Sequence, residues 1–170
     1  MKTHSGFTLI ELVIVIALAA LLTTLALPSF RAIIQNNRAT TQANGLLSSL
    51  NLARSEAVKR GVRVTLCSSV DQATCTDPPS ADWATGWIIF ADESNFGTKD
   101  AAETVLQVHE ALADGAELRL AGGTNVQLLP SGQARAATTL RLELPECSGE
   151  QARTIGTELS GRSSVSATSC

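Results

Sequence analysis

The chain has 170 residues, a net charge of −3 and a pI near 5.4, so it holds one domain of ordinary size and lacks the basic excess of a general nucleic-acid binder. Aromatic residues are few, with four Phe, two Trp and no Tyr, and the four cysteines include no CxxC pair. That argues against a redox dithiol or a zinc site, and an even cysteine count behind an export signal reads as disulfides formed in an oxidising compartment.

The first element is a short basic leader, Met1 to Gly6, carrying Lys2 and His4. From Phe7 to Leu27 every residue is apolar or Thr except Glu11. A run of roughly 20 apolar residues at about 1.5 Å each crosses a ~30 Å hydrocarbon layer. A carboxylate within such a run costs roughly 2.5–3.5 kcal/mol or more at mid-bilayer, so Glu11 is a functional hypothesis from the outset. A cleaved secretory signal is a poor fit, because the run is long and Leu25-Ala26-Leu27 is followed by Pro28 rather than by a small-residue cleavage site. A plain membrane anchor accounts for the length and leaves Glu11 unexplained. Gly6-Phe7-Thr8-Leu9-Ile10-Glu11 accounts for both: it resembles the processing site of type IV pilins and type II secretion pseudopilins. The resemblance implies that a prepilin peptidase cuts after Gly6, that the new amino terminus on Phe7 is methylated, and that Glu11 pairs with such an amine during assembly. An unpaired amine and an unpaired carboxylate in a packed apolar filament are each costly, and pairing relieves both.

The helical pattern continues past the apolar run. Pro28 should kink it, since its ring clashes with the carbonyl one turn back and one hydrogen bond is lost. Phe30, Ile33, Ile34, Leu46, Leu47, Leu50, Ala53 and Ala57 keep mainly to one face, and Arg60-Gly61 is a stop signal. A helix from Phe7 to about Arg60 would be roughly 80 Å long. Then the period shortens. Val62–Leu66 alternates apolar and polar as a strand, Cys67 and Cys75 flank a polar loop, and Asp77-Pro78-Pro79-Ser80 is rich in turn formers. Further strands are expected at 86–91, 104–110, 117–121, 126–129, 140–144, 153–156 and 163–167. One long helix followed by short strands is an α+β pattern, with an antiparallel sheet packed on the helix.

Two stretches narrow the family: Leu52-Ala53-Arg54-Ser55-Glu56-Ala57-Val58-Lys59-Arg60, and Trp83-x-x-Gly86-Trp87-Ile88-Ile89-Phe90-x-Asp92. With the amino-terminal motif they resemble the GspH/FimT family of minor pilins and pseudopilins. The resemblance implies a pilin-like fold, in which the second half of the helix packs on the sheet domain. It divides the chain into a leader (1–6), a transmembrane and assembly half-helix (7–28), an amphipathic half-helix (29–60) and a β-sheet domain (61–170). The expected protein is not an enzyme. It is a single-pass inner-membrane protein with its globular domain in the periplasm, and it enters a pilus or pseudopilus after processing. The expected partners are prepilin peptidase, other major and minor pilins or pseudopilins, and the inner-membrane assembly platform. The four-cysteine domain looks more like the type IV pilus branch, as a minor pilin that enters or primes the pilus; the alternative is a pseudopilin of a type II secretion system.

The resemblance also bears on individual residues. Four cysteines allow three pairings; the family arrangement implies Cys67–Cys75 and Cys147–Cys170, which is also the set with the shortest loops. Some relatives act in natural transformation and bind DNA through a carboxy-terminal Gly-Arg-x-Arg motif. Here that stretch reads Gly161-Arg162-Ser163-Ser164, so the second Arg is replaced. Arg162, with Arg153 across paired strands, is the candidate DNA contact, and Arg135 and Arg141 are further cations; the competing reading makes Arg162 a solvated turn residue. Asp92, Glu93, Asn95 and Asp100 offer oxygen ligands for a cation, without the spacing of an EF-hand, and a solvated loop is the competing reading. Ser68 and Ser69 lack the setting of a nucleophile. No cofactor or metal is expected, because His4 lies in the leader and His109 stands alone. Trp83 and Trp87 read as core residues.

Overall fold

A computed structural model of the chain describes residues 8–76, 82–113 and 115–170, with the side chains of 24–29 outside that description. Helix α1 spans Leu9–Arg60, and the chain divides into two units, 1–37 and 38–170.

In the first unit α1 is apolar on all sides from Leu9 to Leu22, apart from Glu11. Leu9, Ile10, Leu12, Val13, Ile14, Val15, Ile16, Leu18, Leu21 and Leu22 are all more than half exposed in the isolated chain. A helix that is apolar all round belongs in lipid or in the interior of a larger assembly. Among the described residues, no helix is long and apolar enough to cross a membrane. The described side chains of the apolar run end at Thr23. The helix assignment runs unbroken through Pro28.

In the second unit the remainder of α1 buries one stripe. Ala39, Ala43, Leu46, Leu50, Ala53 and Ala57 recur every three or four residues and are 1% exposed or less. Four of the six are Ala, which lets strands approach the helix axis closely. The helix ends where Gly61, at φ +69°, donates its N–H to Ala57 O at 3.0 Å. That left-handed residue is the usual helix stop, and a side chain there would be strained.

Among the described residues eight strands follow: β1 (Arg63–Ser68), β2 (Trp87–Asp92), β3 (Val105–His109), β4 (Glu117–Ala121), β5 (Asn125–Leu128), β6 (Thr138–Glu143), β7 (Ala152–Thr157) and β8 (Ser163–Thr168). They form two four-stranded antiparallel sheets, in the orders β3-β2-β1-β5 and β4-β6-β7-β8. The antiparallel sheet expected from the sequence is thus divided in two. Both sheets and the helix share one core, which joins Leu46 and Leu50 with Val64, Leu66, Trp87, Ile89, Val126 and Leu128 of the first sheet and Leu118, Leu140, Leu142 and Ile155 of the second in one buried cluster. A smaller cluster of Cys67, Ile88 and Phe90, with Cys75 and Val105, covers the outer face of the first sheet. The central strand β2 is therefore buried on both faces. This is why Trp87-Ile88-Ile89-Phe90 is a continuous apolar run rather than an alternating one.

Candidate functional site

The amino-terminal site begins outside the described residues, because the expected cleavage position at Gly6 and Phe7 lies there. Glu11 is described, exposed in the first turn of α1. Thr8 precedes the helix. Its hydroxyl accepts from Glu11 N at 3.3 Å, while Glu11 Oε2 accepts from Thr8 N at 3.4 Å. This reciprocal pair is a capping box. The Thr-x-x-Glu spacing carries that signal in the sequence, and reading Glu11 only as an assembly residue overlooks it. In the isolated subunit the carboxylate is engaged by its own helix end, at long hydrogen-bond distances that a stronger partner can replace.

The structure joins Cys67 to Cys75 and Cys147 to Cys170, with Cα separations of 5.5 and 5.7 Å. On a chain-entropy account each contributes about 2–4 kcal/mol. The first closes a loop organised by Asp71. Its carboxylate accepts from the Thr74 hydroxyl at 2.7 Å, from the N–H groups of Thr74 and Ala73 at 2.8 and 2.9 Å, and from the Ser69 hydroxyl at 3.0 Å. The Thr74 hydroxyl and then these N–H groups hold the acid well below the usual carboxylate range. A depressed carboxylate stabilises above its unfolded value, 3.8, and that contribution is lost only as pH falls through the lower folded value. Asp71→Asn is therefore expected to leave the pH dependence of melting unchanged above about pH 5 and to flatten it below pH 4, as scanning calorimetry would show.

The acidic loop after β2 differs from a cation site. Asp92 is fully buried, accepting from the Thr65 hydroxyl and from Gly97 N at 2.9 Å. The loop is organised by Glu103, whose carboxylate accepts from the backbone N–H groups of Glu93, Ser94 and Asp100 at 2.9, 3.1 and 2.9 Å. Burial raises the pKa of Glu103, but these N–H groups and the Ser94 hydroxyl outweigh that and leave it lowered. Backbone donors converging on a carboxylate make an anion's environment, already filled by the chain itself. Among the described residues no group of three or more His, Cys, Asp or Glu is placed to hold a metal. His109 is stacked on Trp87 with ring centroids 3.8 Å apart, and Trp87 Nε1 donates to Ser49 Oγ at 3.1 Å.

At the carboxy-terminal motif, the turn joining β7 to β8 packs on the loop leading from β5 to β6. Ala134 N donates to Leu159 O at 3.1 Å, and Arg54 donates to Gly132 O at 2.9 Å and to Ser160 O at 3.3 Å. Gly161, at φ +76°, lies so close that a Cβ there would be 1.9 Å from Gly132 O. Gly161 is thus a packing requirement, and Arg54 ties both loops to the helix. The Leu52–Arg60 stretch and the Gly161-Arg162 turn meet here, a link that sequence spacing does not disclose.

Arg162 is exposed in the turn. Arg153 does not accompany it, which corrects the expected pairing. It faces Ala167, five positions along the strand and roughly 15 Å away. Arg153 is 6% exposed, with Nη1 on Glu150 O and Ala152 O and Nη2 on Thr40 Oγ1. Of the other cations, Arg141 is paired with Glu143 and Arg135 donates to Gln127 Oε1 at 3.1 Å. Arg153, buried and along the strand from the turn, does not add to a phosphate-tracking surface around Arg162.

A long amino-terminal helix, apolar all round at its start and packed on antiparallel sheets in the second unit, defines a pilin-like protein. Residues 42–161 match the family described as Type II transport protein GspH, and residues 1–27 match the prokaryotic N-terminal methylation motif. The chain belongs to the GspH family. Its fold is similar to that of the type IV minor pilin FimU of Pseudomonas aeruginosa in two crystal forms. In the first, identity is 18% over 79% of this chain and 96% of the FimU chain in that structure, with a TM-score of 0.61. In the second, identity is 18% over 77% and 98%, with a TM-score of 0.58. It is also similar to the minor pseudopilin EpsH from the type II secretion system of Vibrio cholerae, at 16% identity over 76% of this chain and 97% of the EpsH chain in that structure, with a TM-score of 0.51. The chain is a minor pilin or pseudopilin of a type IV pilus or type II secretion system, a structural protein rather than an enzyme. Its family implies inner-membrane anchoring, processing by prepilin peptidase and assembly with other pilins.

Proposed function

We propose that the chain is a minor pilin that enters, or primes, a type IV pilus. Residues 1–6 are a leader removed by prepilin peptidase, and Phe7 becomes the methylated amino terminus. Residues 7–28 hold the subunit in the inner membrane and then pack in the filament, with Pro28 as the bend. The 29–60 half-helix carries the 61–170 sheet domain on the periplasmic side, and the inner-membrane platform extracts the subunit. The observation that carries this reading is Glu11: a single carboxylate in an apolar run, five residues along the mature chain, whose partner among the described residues is the weak cap at Thr8. The amine of Phe7 on a neighbour would be a stronger partner.

A second reading, a pseudopilin of a type II secretion machine, is favoured by the family's description as a transport protein. The two separate by deletion and complementation in the native host. The pilus reading expects loss of surface filaments with normal export of folded proteins; loss of export with filaments intact would reverse the assignment. The DNA-binding alternative is not favoured by the surface cations, since Ser164 replaces the second motif arginine and Arg153 is buried.

A further inference from the structure

The strand edges differ in how they are protected. The outer edge of β5 is covered, because Arg135 N donates to Gln127 O at 3.0 Å and Leu128 bridges Ala134. On β4, Glu117 and Arg119 form an ion pair and Asp82 bridges Arg119. The register of β3 is broken by an irregularity between Ile89 and Phe90 of its neighbour. β8 has none of these devices. Its six residues, Ser163-Ser164-Val165-Ser166-Ala167-Thr168, include no charge and no Pro, and all six pair with β7 in one continuous register. Open, flat, uncharged edges invite pairing with another chain, and proteins that do not use them usually blunt them.

The register also says which backbone groups are free. Gly161 N donates to Glu158 O at 2.8 Å and Glu158 N to Arg162 O at 2.9 Å, a bulge in which the Arg162 carbonyl is turned toward β7. Antiparallel pairs alternate, so Ser164, Ser166 and Thr168 spend their backbone groups on β7. The N–H and C=O of Ser163, Val165 and Ala167 then face outward, and nothing among the described residues pairs with them. The disulfide from Cys147 to Cys170 holds the chain just beyond β8, so this edge is presented rather than frayed.

We infer that the outer edge of β8 receives an extended, uncharged strand from a neighbouring filament subunit of different sequence. This rests on the chain's assembly with other pilins. Self-pairing of two β8 edges would be two-fold and would close, whereas a growing filament needs a head-to-tail contact. Side chains of the incoming strand would alternate, apolar beside Val165 and Ala167 and hydroxyl-bearing beside Ser164 and Ser166.

The test uses the full chain. Amide hydrogen exchange is compared between the detergent-solubilised subunit and sheared filaments, together with photo-crosslinking from an unnatural residue at Ser166. The expected result is at least about tenfold slower exchange at Val165 and Ala167 in filaments, the equivalent of one added backbone bond. The expected adduct is to a different pilin. Ala167→Pro removes only an outward N–H; it should melt with the unaltered chain yet be depleted from filaments. Ser166→Pro, which breaks the ladder to β7, should lower the melting temperature. Equal exchange at Val165 and Ala167 in both states, or an adduct only to a second copy, would overturn the proposal. Absence of the unaltered chain from filaments would instead overturn the assembly reading, and this inference with it.

Discussion

Glu11→Leu is expected to leave membrane insertion intact and to exclude the chain from filaments. Removing the carboxylate makes the 7–28 segment more apolar, so residence in lipid is favoured by roughly 2.5–3.5 kcal/mol. On the proposed assembly, the same change would leave the methylated amine of a neighbour in the packed filament without a counter-charge. Breaking a buried ion pair from one side costs about 3–5 kcal/mol, more than a hundredfold in an equilibrium. Quantitative blotting of membrane and sheared-filament fractions would show a normal membrane pool and a filament pool reduced by about that factor. Incorporation at the unaltered level would mean that Glu11 serves only its own helix end. Thr8→Ala separates the two roles. It removes the hydroxyl half of the capping box and keeps the carboxylate, so it should be incorporated.

Gly161→Ala should be the most damaging single-methyl change in the sheet domain. The added Cβ would meet a backbone oxygen, Gly132 O, at 1.9 Å, and φ is +76°. Neither the turn nor the facing loop can relax independently, because Arg54 and the contact between Ala134 and Leu159 hold them together. The expected loss is about 3 kcal/mol or more, read from the denaturation midpoint of the solubilised chain. Gly149→Ala is the matched control. That residue also has positive φ, +60°, but nothing lies within 4 Å of the added methyl, so about 1 kcal/mol is expected. Equal effects at the two positions would show that backbone conformation alone matters. A relative's motif glycine could be read as part of a ligand site; here its demonstrable duty is packing.

Local pattern made much of this fold legible. The helix to Arg60 follows from a stripe with a three-to-four-residue spacing and the glycine after it, and each of the eight strands overlaps a segment of short-period apolar residues. The division into two sheets was not legible, since whether β6 joins β4 or β1 depends on register between distant segments. The candidate site shows the same limit. Glu11 stands out because a charge in an apolar run is locally anomalous. Asp71 and Glu103 do not stand out, because their importance lies in backbone N–H groups that only the folded loops direct at them. Arg153 illustrates the converse error: an arginine on a strand looks like a surface cation until the fold caps it with carbonyls and Thr40. Arg54 is 78 residues from Gly132, and nothing in either segment announces that they meet.

The central claim is that the chain is a processed subunit held in a filament through its own amino terminus. The most direct measurement is the mass of the amino-terminal peptide of the protein recovered from sheared filaments. The account predicts a peptide that begins at Phe7 and carries one added methyl on its amine. A peptide that begins at Met1, or one that begins beyond Pro28 and so lacks Glu11, would contradict it.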